Sequence, residues 1–262
     1  MGRFNSRGCR DMATAGFIAR DFPSRRVSRG LESLYAGRMS SVTEAVLRRR
    51  STRAFLDRPV ARETVAELLG LAARAPSGGN LQPWRADVLA GAPLKDLKEK
   101  ARAAFAAGGE AMEIQVYPAP LGEPYRSRRH AGGEALYAAL DIPREDKARR
   151  IAQFARNFDA FGAPVLLIVS IDRIFDRPQW AHLGMFMQNF MLLAAERGLA
   201  TCPQEAWAAV HRVVAEAIEL PESHMVYCGI ALGYADEAHP INAFETEREP
   251  VEGFANFRGF EE

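Results

Sequence analysis

The stretch Pro76-Ser77-Gly78-Gly79-Asn80-Leu81-Gln82-Pro83-Trp84 separates two patterned segments, and its reading decides the fold. Upstream, Val65, Leu68, Leu69 and Ala72 recur at i, i+3, i+4 and i+7, which predicts a helix after Pro59 that Pro76 ends. Downstream, Arg85 to Leu89 reads as a strand. The stretch between is too rich in Gly, Pro and Asn for a helix or a central strand. Its glycines bare the backbone, so amide N–H groups can approach a ligand. Asn80 and Gln82 each carry a donor and an acceptor suited to the edge of a flat heteroaromatic ring. A plain helix-to-strand connector would have the same composition. Upstream, Arg49-Arg50-Ser51-Thr52-Arg53 gathers cations and hydroxyls suited to a phosphate. Cations at a helix C-terminus could instead complement the macrodipole, but that does not explain why Ser51, Thr52 and Arg53 continue past the helix end. Together, a phosphate-seeking cluster and a ring-seeking loop point to a nucleotide or a flavin.

The rest of the chain alternates helices and strands. Ser41 and Glu44 have capping-box spacing, which predicts a helix from Ser41 to about Arg50. Pro93 is placed to open a helix at its first position, running towards Ala107. Residues 108–130 read as a loop holding Pro118, Pro120, Pro124, Arg126, Arg128 and Arg129, either a lid or a solvated insertion. Helices are expected over 131–140 and 144–158. Val165 to Ile171 is a continuous apolar run and reads as a buried central strand. Trp180 to Arg197 reads as a long helix with Met185, Phe186, Asn189, Phe190, Leu193 and Ala194 on one stripe, closed by Gly198. Cys202-Pro203-Gln204-Glu205 reads as a short loop, Trp207 to Leu220 as a helix, and Met225 to Leu232 as a second buried strand. One sheet with helices places the chain in the α/β or α+β class.

Composition narrows the function classes. The chain has 262 residues, 48% hydrophobic and 26% charged, enough to bury a full core. A net charge of +1 makes no case for nucleic acid or a membrane surface. No apolar run reaches the roughly 20 residues of a membrane span. The odd cysteine count, Cys9, Cys202 and Cys228, argues for reduced thiols in a cytoplasm and against a disulfide framework. None of the five histidines stands at metal-ligand spacing, so no metal is expected. There is no G-x-S-x-G, no G-x-G-x-x-G and no Walker lysine. A nicotinamide nucleotide would therefore be a transient substrate. Residues 1–38 hold eight arginines, no lysine and three acids, for a net charge of 8 − 3 = +5. They read as a transit-peptide-like extension or an over-long start before Met39, with the working domain over 39–262.

Four segments in register resemble the FMN-dependent nitroreductase family: Arg49-Arg50-Ser51-Thr52-Arg53-Ala54-Phe55, Pro76 to Trp84, Cys202-Pro203-Gln204-Glu205, and Thr246-Glu247-Arg248-Glu249-Pro250. The likeness covers roughly residues 42–258 and is nearest to the branch acting on nitrobenzoates. It implies an α+β fold with a mainly antiparallel central sheet flanked by helices, in an intertwined homodimer with composite FMN sites. By matching positions, it implies that Arg49, Arg50, Ser51, Arg53 and Arg248 hold the phosphate and ribityl chain. Pro76, Ser77, Asn80 and Gln82 would reach the flavin from the partner chain. Pro203, Gln204 and Glu205 would lie against the isoalloxazine, with Gln153 and Arg156 at its pyrimidine edge. The implied reaction passes hydride from NADH or NADPH through the flavin to a nitroaromatic or quinone-like acceptor, ping-pong, with no obligatory protein acid or base. Reductive dehalogenation or flavin fragmentation on the same scaffold, and flavin binding without turnover, are the alternatives. Two positions depart from the pattern: Thr246 stands where relatives often have lysine, and Ala206 where they often have glycine.

Overall fold

The computed structural model describes residues 41–260; the extension expected over residues 1–38 lies outside them. Helix α1 (Val42–Arg48) starts where the capping box predicts: the Ser41 hydroxyl accepts from Glu44 N at 3.2 Å, and the Glu44 carboxylate accepts from Ser41 N at 2.6 Å. Helix α2 (Arg62–Ala72) buries Val65, Leu68 and Ala72. After the Gly-rich loop come strand β1 (Arg85–Ala90) and helix α3 (Gly91–Ala106). Gly91 takes φ +59°, so the chain turns from strand into helix without a linker. That puts Pro93 at the third helical position and not the first, still within the turn whose N–H groups lack partners.

Helix α4 spans Tyr125–Ala138, so Arg126, Arg128 and Arg129 belong to a helix and the expected loop shrinks to 107–124. Helix α5 (Lys147–Ala155) ends earlier than expected and tightens into 3-10 turns over Arg156–Gly162. Strand β2 (Val165–Asp172) is followed by helix α6 (Arg177–Glu196), strand β3 (Ala200–Gln204), a 3-10 turn (Glu205–Val210), helix α7 (His211–Ala217) and strand β4 (His224–Gly233). Two expectations are corrected here. Cys202-Pro203-Gln204 is strand and not loop, and the helix expected over Trp207 to Leu220 is a 3-10 turn plus the shorter α7. Pro203 is tolerated because β3 is the edge strand of the four, and the residues beyond it meet β3 only at Thr201.

The sheet order is β1-β2-β4-β3, with every neighbouring pair antiparallel. The fold is α+β. Strand β2 reads as an unbroken apolar run because both its faces are covered. Val165, Leu167, Val169 and Ile171 pack towards α2 and α6, while Leu166 and Ile168 pack towards α3 and α7. Helix α6 presents Leu183, Phe186, Met187, Phe190 and Ala194 to the first core. Trp207 lies so close on Gly229 that a Cβ there would come within 2.3 Å of the indole. Any side chain at 229 would push off the turn that carries Glu205.

Candidate active site

The arginine segment is fixed where α1 runs out onto the sheet edge. Thr52 N donates to Thr201 O at 2.9 Å, and Ser51 bridges Thr201 in parallel register at the start of β3. Asn242, buried, completes the attachment: its Oδ1 accepts from Arg53 N at 2.8 Å, and its Nδ2 donates to Ala54 O at 2.8 Å and Asp236 O at 3.0 Å. The Arg50 guanidinium donates to Asn242 O at 2.9 Å. With the backbone held, Arg49 lies within electrostatic reach of both Arg248 and Cys202, and Arg53 within reach of Cys202. Burial, and then the neighbouring charge of Arg248, hold Arg49 below the usual arginine range. Burial pushes the Cys202 thiol up to about 11, against the opposing pull of Arg53 and Arg49. Among the described residues no carboxylate pairs with Arg49, Arg50, Arg53 or Arg248. Arg248 donates instead to Thr246 O at 3.0 Å and to the Thr246 hydroxyl, so Thr246 orients the arginine although it carries no charge of its own.

At the far end of β3 the chain turns through Glu205. Gln204 does not point outward: it is 2% exposed, donating to Asn157 O at 2.9 Å and accepting from the Trp207 indole at 3.3 Å. Its side chain is part of the scaffold, and its backbone N–H donates to the Cys228 sulfur at 3.2 Å. Glu205 accepts from the Tyr227 hydroxyl at 3.1 Å, and the Tyr227 ring meets Trp180 edge-on at 5.1 Å. Burial, and then the Glu205 charge, raise Tyr227 above the usual tyrosine range, so it stays a donor. These groups, with Ile114, Gln115, Val116 and Ala208, line a cleft of about 230 Å³.

This chain belongs to the nitroreductase family.

The family matches residues 46–234. The 4-nitrobenzoate reductase of Pseudomonas putida is 38% identical over 216 residues, covering 82% of this chain and 95% of that protein. The FMN and NADPH-dependent nitroreductase NfnB from Sphigopyxis sp. strain HMH superposes with a TM-score of 0.81 at 46% identity, covering 84% of this chain and 100% of that one. The FMN-dependent NfnB from Mycobacterium smegmatis, solved in complex with NADPH, gives 0.79 at 27%, covering 83% and 98%.

The Gly-rich loop has a different setting from the other motifs of this nitroreductase. Gly79 (φ +61°), Asn80 (+55°) and Gln82 (+48°) all take left-handed backbone, stabilised inside the loop. Gln82 N donates to the Ser77 hydroxyl at 3.0 Å, and the Gln82 amide donates to Asn80 O at 3.2 Å. The loop is seated on α6 through Gly78 N to His182 at 3.4 Å and through Trp84 stacked on Phe186 at 5.2 Å. Pro76, Asn80 and Gln82 are exposed, Ser77 partly so. The loop makes no hydrogen bond to the arginine segment or to the Glu205 turn. Gln153 on α5 and Arg156 at its end are half-buried and make no side-chain hydrogen bond among the described residues. Sequence reading missed Asn242, Trp180 and Tyr227, whereas the wall of Ile114, Gln115 and Val116 lies inside the 108–130 stretch read as a lid or an insertion. Trp180 and Tyr227 lay inside elements already assigned to core or strand, and Asn242 sits in a tail without periodicity.

Proposed function

We infer that this protein is an FMN-dependent NAD(P)H oxidoreductase that reduces nitroaromatic acceptors. The observation that carries the reading is the half-buried Arg49, with Arg248 in its field and Arg53 beside the same Cys202, and no carboxylate among the described residues to neutralise them. Guanidinia left without a carboxylate fit a phosphate dianion, whose oxygens match the arginine forks. The donor set therefore suits FMN. Bound, FMN supplies two-electron chemistry, taking hydride from the nicotinamide and giving it to the acceptor. Arg49, Arg53, Arg248 and the Ser51 hydroxyl would hold its phosphate and ribityl end, with Arg50 bracing the segment through Asn242. Pro203, Gln204 and Glu205 would offer backbone to the ring, and Gln153 and Arg156 would stand at its pyrimidine edge.

The chain's own residues shape the acceptor cleft. Trp180, Ile114, Val116 and Ala208 give the apolar part of a ring-sized, open cleft whose polar part is Gln115, Glu205 and Tyr227. Tyr227 holds the Glu205 carboxylate in one orientation through its 3.1 Å hydrogen bond. Donor and acceptor would use this cleft in turn, which is the basis of ping-pong turnover. The nitrobenzoate and nitrobenzene class of acceptor is supported by the names of similar proteins, 4-nitrobenzoate reductase and nitrobenzene nitroreductase.

The working unit we propose is a homodimer. Met185 on α6 and Phe254, Phe257 and Phe260 in the tail are exposed. The loop's anchor at His182 lies 14 residues before the end of α6 at Glu196, about 21 Å along the helix. The arginine segment is anchored beyond that end, at Thr201. A second copy would bring Pro76, Ser77, Asn80 and Gln82 to the other chain's flavin. Cys202 and Cys228 are free thiols, in keeping with the cytoplasmic location we assign. The test is the visible spectrum of the purified protein, then anaerobic titration with NADPH followed by 4-nitrobenzoate. Bleaching and recolouring in equal stoichiometry are expected; a colourless protein that takes up no added FMN would overturn the reading.

A further inference from the structure

Between α3 and α4 the chain from Glu110 to Val116 has no regular structure, yet Ile114, Gln115 and Val116 form one wall of the cleft beside Glu205. His211, the first residue of α7, fastens that segment. It is 9% exposed. Its Nε2 lies 3.2 Å from Ala111 O and 3.5 Å from the Glu110 carboxylate, and its Nδ1 lies 3.4 Å from the Glu113 carboxylate. A carbonyl and an ionised carboxylate can only accept. A neutral imidazole has one N–H, whereas the imidazolium has two. The neutral ring can therefore donate to one side of the segment at a time, and the protonated ring to both.

The surroundings hold the acceptors in place. Glu110 accepts from Arg212 N at 2.8 Å, and Glu113 pairs with Arg173 at 2.8 Å. Arg173 also donates to Glu222 O at 2.9 Å. The charged and titratable groups around His211 are thus Glu110 and Glu113 from the segment, Arg212 from α7, Arg173 after β2, and Glu222 and His224 at the entry to β4.

We propose that His211 is a positioning residue of the acceptor site: a clasp that fixes the 110–116 wall and tightens when the imidazole takes up its second proton. The proposal rests on the reading that the cleft receives the nitroarene. Its sign is definite. With its second proton the ring gains a donor, the wall is held at both points, and the acceptor KM falls. As pH rises the second N–H is lost and the wall loosens.

The test uses the full-length, FMN-loaded protein, with amide hydrogen exchange over residues 110–117 at about pH 6 and about pH 8, corrected for intrinsic exchange. The KM for nitrobenzene, which does not titrate, is measured alongside. Protection should be about three- to tenfold greater at the lower pH, with KM lower by a similar factor. His211→Gln keeps a donor for Ala111 O but does not titrate, and Glu113→Gln removes the charged acceptor facing Nδ1. Each should flatten both dependences, while kcat moves less than KM. Protection that ignores pH in the parent, or keeps its pH dependence in either variant, overturns the clasp. A KM that does not follow the exchange overturns its link to the cleft. Should His211→Gln fail to fold, Glu113→Gln decides alone, since its side chain lies towards the surface. A protein that shows the exchange behaviour but reduces no nitroarene overturns the functional reading and leaves the clasp standing.

Discussion

The arginine segment and the Gly-rich loop carry the two clearest chemical motifs of the chain, yet the fold treats them in opposite ways. Residues 49–54 are bound into the sheet edge by Thr201 and Asn242, and the Arg50 and Arg53 guanidinia meet backbone carbonyls but, among the described residues, no carboxylate. Residues 76–84 satisfy their backbone within the loop and rest on α6, leaving Asn80 and Gln82 exposed. The first region is fixed by its own chain through backbone and Asn242. The second rests on α6 through Gly78 and Trp84 and leaves Asn80 and Gln82 to solvent. Clustered like charges need a rigid frame, because each guanidinium repels the next. A neutral amide pair needs only a defined backbone.

Removing the frame should have the largest effect. Asn242→Ala leaves Arg53 N without its partner, while Ala54 O keeps Asp236 N at 3.0 Å and Asp236 O keeps His239 N at 3.1 Å. We expect a stability loss of about 1–3 kcal/mol in denaturant unfolding, for the donor left unsatisfied, together with loss of FMN. A change below about 0.5 kcal/mol would remove the claim that the segment is framed by the tail.

Removing the charges should act on the ligand and spare the fold. Arg53→Ala and Arg248→Ala are each expected to weaken FMN binding by roughly 10- to 100-fold, with activity restored at high added FMN. Equilibrium dialysis measures this, and unchanged retention in both variants would show that the phosphate sits elsewhere.

The loop should behave in the opposite way. Asn80→Ala with Gln82→Ala is expected to change stability by less than about 1 kcal/mol, because both side chains are exposed, while activity falls. Mixed with an Arg53→Ala/Arg248→Ala chain, it should regain activity, since a heterodimer then holds one intact composite site and one doubly damaged one. Heterodimers that form without regaining activity would place both regions in one chain's site and dissolve the contrast between them.

The smallest effect is expected from the N-terminal extension. A chain starting at Met39 should keep its colour and its turnover, because the capping box of α1 begins at Ser41. Loss of FMN on truncation would mean that the extension contributes to the site.

What was legible in the sequence follows from how local each signal is. The capping box of Ser41 and Glu44, the α2 stripe, the apolar run of β2 and the Gly198 terminus of α6 depend on neighbours within a few residues, and all four stand in the structure. The Gly-rich stretch likewise stands as the connection between α2 and β1. The elements read wrongly are those whose form depends on distant partners. Cys202-Pro203-Gln204 resembles a loop until β4 supplies its ladder. The Trp207 helix breaks because the indole must lie against Gly229. Helix α4 starts earlier than its prolines suggest, at Tyr125 directly after Pro124, where the Glu123 carboxylate accepts from Ser127 N at 3.2 Å.

The site divides along the same line. The sequence by itself determined which residue types could grip a phosphate and which loop could face a ring, because arginine forks, hydroxyls and bare glycine backbone are properties of the residues. Only the tertiary structure decided that Gln204 turns inward to Asn157 and Trp207, that Tyr227 orients Glu205, that Asn242 frames the arginines, and that His211 stands between Glu110 and Glu113. Each of these joins positions 20 to 190 residues apart, or turns on which way one side chain faces. A hydrogen bond that fixes direction reaches only about 3 Å, so its partners are set by the packed core that brings the strands and turns together, and not by any spacing along the chain.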